Sequence, residues 1–341
     1  MEKRLIKKEA LAGIAKRIAE DVTVYAPVRV EENVLFKVLE KGEEPLFTYQ
    51  NSKNAPKNFF FPRSEVMLRY TRTPKGVEFT AEELFARDGV LMGARPCDAR
   101  SFVLLDMLFD QEKYKDPYYI EKRNRTTVVS LACAKPPYRE CFCTSVGGHP
   151  VDDKGADVLI TDIGDVFLVE FVTPKGEKLL KYFGDQKADA ASEEKKAAVA
   201  AAAEAALTWK IAAHEVKEKL DRNFNSPFWD GIHKKCLACG TCTFLCPTCH
   251  CFDISDEMKY DDGRRLRNWD SCMFPLFTKE TSGHNPRPTQ KERWRQRVMH
   301  KFSYYPENFG AIACVGCGRC VQSCPVNIDI RKIVAEAMEL A

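Results

Sequence analysis

Two stretches of this sequence repeat one arrangement of cysteines, Cys236-Leu-Ala-Cys-Gly-Thr-Cys-Thr-Phe-Leu-Cys-Pro247 and Cys314-Val-Gly-Cys-Gly-Arg-Cys-Val-Gln-Ser-Cys-Pro325. Each reads C-x₂-C-x₂-C-x₃-C-P, the run that holds [4Fe–4S] cubanes in bacterial two-cluster proteins. Three thiolates spaced by two residues wrap one side of a cubane, and small Gly or Thr between them lets the backbone come close. The chain carries the fourth cysteine away to the other cluster. By this crossing, Cys236, Cys239, Cys242 and Cys324 form one ligand set, and Cys314, Cys317, Cys320 and Cys246 form the other. A zinc ribbon also uses C-x₂-C pairs, but it has no use for a third cysteine and a Cys-Pro, here written twice.

A second group lies in the N-terminal half: Cys97, Cys133, Cys141 and Cys143. Cys97 and Cys133 follow apolar runs that read as strands, and Cys141-Phe-Cys143 lies in a loop rich in Pro and Gly. Four cysteines gathered at strand ends suit a third [4Fe–4S] cluster or a zinc ion. Scattered buried thiols fit the spacing equally well, since free cysteine is among the most buried residue types. Cys249, Cys251 and Cys272 remain unassigned. They could shield a cluster, ligate a further metal with His250, or form a redox-active pair.

Other chemistry is thinly represented. The six histidines make no H-E-x-x-H or H-x-x-E-H pattern. Neither G-x-G-x-x-G nor G-x₄-G-K-[ST] occurs, so no flavin or nucleotide site of those types is expected in this chain. The run Lys291-Glu-Arg-Trp-Arg-Gln-Arg297 and Gly283-His-Asn-Pro-Arg-Pro288 invite a nucleic-acid reading, with Trp294 for stacking. Offsetting cluster charge, or forming the domain surface, explains the same residues.

The elements that must position these cysteines follow from the rest of the chain. Its 341 residues suffice for two domains, and 45% hydrophobic with 30% charged residues is an ordinary globular composition. No apolar stretch is long enough to span a bilayer, and the N-terminus lacks a signal-peptide core, so a cytoplasmic protein without membrane insertion is expected. A net charge of +3 is too small to argue for nucleic acid. The odd total of 15 cysteines excludes complete disulfide pairing.

Residues 1–185 read as a mixed α/β domain. The apolar spacing from Glu2 to Glu20 predicts a helix, and strands are expected at Val34–Leu39, Val66–Tyr70, Gly89–Gly93, Thr126–Ala132, Val158–Thr161 and Val166–Thr173. A helix from Ala99 to Phe109 takes Asp98 as its cap. Residues 186–220, dominated by Ala with Glu and Lys, predict a solvated helical connector. Residues 221–341 read as an α-helical two-cluster ferredoxin-type domain, with a long polar insert at 252–313 and a terminal helix starting near Asp329.

Several segments resemble a known family. Phe59-Phe-Phe-Pro-Arg-Ser-Glu65, Gly93-Ala-Arg-Pro-Cys-Asp98, Asp116-Pro-Tyr-Tyr119 and Glu140-Cys-Phe-Cys-Thr-Ser145 are similar to the iron–sulfur beta subunit of sulfhydrogenase-type cytosolic hydrogenases. They resemble the corresponding iron–sulfur component of anaerobic sulfite reductase equally well. Cys246-Pro-Thr-Cys-His-Cys-Phe-Asp253, Trp269-Asp-Ser-Cys272, Gly283-His-Asn-Pro-Arg287 and His300-Lys-Phe302 continue the likeness, which runs from about Asn54 to the C-terminus. The resemblance implies that Cys97, Cys133, Cys141 and Cys143 hold a third [4Fe–4S] cluster. It also implies an electron relay between a flavin subunit that exchanges electrons with a pyridine nucleotide and a terminal catalytic subunit. That last subunit varies among relatives: a hydrogenase, a sulfite reductase or a heterodisulfide-reductase-type assembly. Two rival readings are a catalytic subunit that reduces sulfur or disulfides at Cys249, Cys251 and Cys272, and a zinc-containing binding module.

Overall fold

The apolar runs of the N-terminal half are short and rich in Val, Ile and Leu, and they assemble as strands. The computed structural model describes residues 2–82 and 88–341. In chain order the strands are β1 (Glu2–Lys7), β2 (Thr23–Val30), β3 (Asn33–Val38), β4 (Ser64–Thr73), β5 (Gly76–Ala81), β6 (Gly89–Ala94), β7 (Thr126–Leu131), β8 (Val158–Asp162), β9 (Val166–Phe171), β10 (Phe252–Lys259) and β11 (Asp262–Trp269). Seven of them form one sheet in the order β1-β9-β8-β7-β6-β2-β3. β2, β6, β7 and β8 run parallel, while β1, β9 and β3 pair antiparallel with their neighbours. The central strands β6 and β7 are buried almost throughout, as their uninterrupted apolar sequences require of strands covered on both faces. The expected mixed α/β architecture is therefore present.

Adjacent parallel strands end on the same edge of a sheet, where α/β proteins gather their sites. β6 and β7 both deliver a cysteine there, Cys97 and Cys133. Pro96 occupies the first position of the helix Pro96–Phe109, and Arg95 is its N-cap. Proline at that position starts the helix earlier than Asp98 would. The Asp98 carboxylate lies inside the first turn instead, bound to Arg319.

The segment from Glu2 to Glu20 is not one helix. Residues 2–7 form β1, which pairs antiparallel with β9 (Leu5 opposite Leu168), and the helix Ala10–Asp21 follows. The helical spacing holds from Leu11 onward, where Leu11, Ile14, Ala15 and Ile18 are buried. Before it, the unpaired backbone edge of β9 captures the chain, and tertiary pairing overrides the local pattern. The alanine-rich stretch is likewise helical over less of its length than expected. The helix Ala190–Ala205 is N-capped by Asp189. Past it, Leu207, Ala213, Val216 and Leu220 are buried, and seating them takes the chain off the helical path until Val216–Arg222.

The polar insert carries a hairpin the sequence did not suggest. β10 and β11 join β4 and β5 in a second sheet, ordered β10-β11-β4-β5. Arg267 of β11, only 2% exposed at its side chain, is held by Glu65 at 2.5 Å and by Asp116. The insert between the two cysteine motifs is thus tied into the N-terminal half. Among the described residues, no helix is long and apolar enough to cross a membrane.

Candidate metal centres

The two C-x₂-C-x₂-C-x₃-C-P segments fold alike. Ala238 and Gly316 take φ of +54° and +64°, and Gly240 and Gly318 take +71° and +75°. Two left-handed positions per segment curl the backbone so that its three leading thiols turn toward one centre. Gly240 and Gly318 then cap the short helices Thr241–Phe244 and Arg319–Gln322, which carry the third cysteine of each run. Backbone N–H groups aim at sulfur: Ala238 donates to Cys236 Sγ at 3.4 Å, Gly316 to Cys314 Sγ at 3.5 Å and Ile328 to Cys324 Sγ at 3.2 Å.

The fourth cysteines cross over. Cys236, Cys239, Cys242 and Cys324 line one pocket, and Cys320 of the second motif stands on its wall. Cys246 lies instead close to Cys314, Cys317 and Cys320, each of whose thiols feels its charge. The N-terminal cysteines meet as well: Cys97, Cys133, Cys141 and Cys143 line a single pocket together with Cys317 and Gly316. Hydrogen bonds fix this loop, from Cys133 N to Pro150 O at 2.9 Å and from Phe142 N to Gly316 O at 2.8 Å. At Gly316 a Cβ would stand 2.5 Å from the Cys143 nitrogen, so only glycine lets the two segments touch. Cys317 on one wall and Cys320 on the other put the second motif between the remaining two sets. The three sets stand in series.

Burial pushes the thiols of Cys141 and Cys143 up to about 12 and that of Cys317 up to about 11. In these surroundings the anionic form needs a metal or a nearby cation. Buried cations surround the sets. Lys301 Nζ lies 3.4 Å from Cys246 Sγ, and Arg297 reaches Cys249 Sγ at 3.5 Å and the Cys242 carbonyl at 2.8 Å. Lys57 donates to the Cys249 carbonyl at 2.6 Å over the face of Trp269. Arg319, between Cys317 and Cys320, binds both Asp98 oxygens at 2.6 and 2.9 Å.

The basic run at 291–301 therefore has two faces. Its helix Gln290–Met299, closed by a Thr289/Glu292 capping box, turns Arg293 and Arg297 inward, and Lys301 continues that face one turn on. Sequence reasoning missed Lys57 and Arg319. Only Arg297 and Lys301 carried a signal, their i, i+4 spacing.

The remaining cysteines, Cys249, Cys251 and Cys272, line a separate cavity of about 360 Å³ with His250, His300, Arg287, Arg297 and Lys301. Burial lowers the imidazoles of His250 and His300, to about 4 and about 3, so both are neutral near pH 7. The N-terminal and first-motif thiols stand around cavities, and among the described residues no three His, Cys, Asp or Glu side chains are grouped as a site for one metal ion.

Two pockets that each gather a set of four thiols, with small residues behind them and cations beyond them, fit an anionic cubane, and residues 235–328 match the family described as a 4Fe-4S dicluster domain. Class and site agree: this is an iron–sulfur protein. Over 326 residues the chain is 30% identical to Sulfhydrogenase 2 subunit beta of Pyrococcus furiosus, covering 95% of this chain and 94% of that one. The chain belongs to the sulfhydrogenase beta-subunit family. No solved structure matches it.

Proposed function

We propose that this chain is the electron relay of a multisubunit oxidoreductase, with three [4Fe–4S] clusters in line. Cys97, Cys133, Cys141 and Cys143 hold one terminal cluster, and Cys236, Cys239, Cys242 and Cys324 hold the other. Cys314, Cys317, Cys320 and Cys246 hold the cluster between them. The bound clusters supply one-electron transfer at potentials tuned by burial and by hydrogen bonds to sulfur. The observation that carries this reading is the series arrangement, in which Cys317 borders the N-terminal pocket and Cys320 borders the first-motif pocket. In this reading residues 1–185 carry one terminal site, 186–220 connect, and 221–341 form the two-cluster ferredoxin-type domain.

The protein's own groups prepare each site. Left-handed turns at Ala238, Gly240, Gly316 and Gly318 orient the thiols. Lys301 and Arg297 offset negative charge on the sulfurs, and the N–H donors of Ala238, Gly316 and Ile328 stabilise it. Cys239 is the exposed thiol of its set, and beside it Leu237 is 66% exposed. An apolar side chain next to a solvent-facing ligand suits a docking face for a partner subunit. We assign the partners as a flavin subunit that handles NAD(P) and a terminal hydrogenase or reductase, in keeping with the sulfhydrogenase name of the relative. None of the fifteen cysteines is joined in a disulfide, which suits the reducing cytoplasm.

The middle position provides the test. Cys317→Ser in the anaerobically prepared chain removes the central cluster and leaves the outer two. With a reduced flavoprotein as donor, the wild type bleaches fully in the visible, whereas the variant bleaches at one end only. Complete bleaching of the variant at the wild-type rate contradicts a series relay.

A further inference from the structure

Each terminal cysteine set has a carboxamide side chain at its edge. At the first-motif set it is Gln290, whose Nε2 donates to Cys236 Sγ at 3.2 Å while its Oε1 accepts from Arg293 Nε at 2.9 Å. A guanidinium has donors and no acceptor, so it can bind only the amide oxygen. The arginine therefore turns the NH₂ end of the amide toward the sulfur.

Asn51 repeats the device at the N-terminal set. It lines the pocket of Cys97, Cys133, Cys141 and Cys143 and is only 8% exposed. Its Oδ1 accepts from Arg319 Nη2 at 2.6 Å and from Ser52 N at 3.0 Å. Both partners are donors, which fixes the oxygen and excludes the flipped amide. The Nδ2 at the other end is buried with no hydrogen-bond partner. A buried NH₂ left unpaired is destabilising, so this one calls for an acceptor inside the pocket. The donor is also held in place from both sides. Ser52 Oγ donates to Asn54 O at 2.7 Å and Lys53 N to Val34 O at 3.0 Å, while Arg319 is clamped on Asp98.

We propose that Asn51 donates its side-chain N–H to a sulfur of the cluster held by Cys97, Cys133, Cys141 and Cys143, and so raises the reduction potential of that cluster. The proposal rests on the relay reading for the cluster itself. Reduction adds negative charge to the cluster, and a fixed N–H on sulfur stabilises the reduced form more than the oxidised one. Gln290 acts on Cys236 in the same way at the other end of the series. The central set is served differently, by the Lys301 ammonium 3.4 Å from Cys246 Sγ. Asn51 ligates nothing; it is a positioning residue that works through the energy of the cluster beside it.

The test uses the anaerobic full chain, its iron counted first, in a redox titration followed by electron paramagnetic resonance. Asn51→Leu removes the donor without adding charge, and Asn51→Asp keeps the oxygen that Arg319 binds. Both should make the N-terminal cluster harder to reduce by about tenfold in its one-electron equilibrium, about 59 mV, and leave the first-motif cluster where it was. Wild-type chain grown with asparagine labelled with ¹⁵N in its side-chain amide should show a ¹⁵N coupling at the reduced N-terminal cluster, lost in Asn51→Asp. This reading on the wild type decides the matter even where a variant loses its cluster. An unmoved potential in Asn51→Leu overturns the proposal, because a shift in Asn51→Asp alone reports added charge. Absence of the ¹⁵N coupling from wild type holding about twelve irons also overturns it, and leaves the relay reading standing. About eight irons in the wild type instead fails the third cluster, and the proposal with it.

Discussion

Asp98→Asn removes the counter-charge from the most deeply buried ion pair joining the N-terminal half to the second cysteine motif. Asp98 is fully buried and Arg319 is 2% exposed at its side chain. The guanidinium makes two bonds to the carboxylate, at 2.6 and 2.9 Å, and others to Asn51 Oδ1 at 2.6 Å and to the Ser52 carbonyl at 3.1 Å. The substitution keeps the shape but leaves the buried guanidinium without its carboxylate partner. Breaking a buried pair from one side costs about 3–5 kcal/mol. With a urea dependence of about 3 kcal/mol per molar for a chain of this size, the midpoint falls by about 1 M or more. The assay is urea unfolding of the anaerobic protein, followed by circular dichroism under conditions where refolding is complete. The double variant Asp98→Leu with Arg319→Met removes both charges and should lie well above the sum of the single losses, because the penalty of a lone buried charge disappears. A midpoint for Asp98→Asn within about 0.2 M of wild type, or strictly additive losses in the cycle, would refute this account of the joint.

Three further outcomes follow from named contacts. Cys141→Ser should lower iron by about four per chain while the spectrum of the two ferredoxin-type motifs persists; unchanged iron removes that loop from the ligand set. Gly316→Ala places a Cβ 2.5 Å from the Cys143 nitrogen at a φ of +64°, so it should drive the loop at 141–143 off the second motif and deplete iron at the N-terminal set; iron analysis and hydrogen exchange at 141–147 read this. His250, held at about 4 against its ordinary 6.5, stays neutral in the fold while the unfolded imidazole protonates. The unfolded chain therefore binds more protons between those values, and stability falls as pH drops from about 6.5 toward 4, by on the order of a few kcal/mol. A urea midpoint that is equal at pH 7 and pH 5, or a His250→Gln variant with the same pH slope, would contradict it.

The two repeated cysteine runs are legible in the sequence because their geometry is local: the spacing and the small residues at 240, 316 and 318 prescribe how the thiols turn. Cys97 and Cys133 are half legible. Each follows a recognisable strand, but that β6 and β7 are neighbours in one parallel sheet is a tertiary fact. Glu2–Lys7 reads as helix because its pattern is short, and the open edge of β9 decides otherwise. The cations that offset sulfur charge are the least legible. Arg319 and Lys57 come from positions whose neighbours say nothing of burial, and only the packed structure turns them inward. Cys251 and Cys272 lie 21 positions apart in sequence, and the β10–β11 hairpin, absent from any reading of the polar insert, is what joins them.

The central claim is three cubanes held by twelve named cysteines, and it is met most directly by counting iron, acid-labile sulfide and zinc in the anaerobically purified chain. The account predicts about twelve irons and about twelve sulfides per chain, with no stoichiometric zinc. About eight of each would leave the N-terminal set empty, and zinc without sulfide would contradict the account altogether.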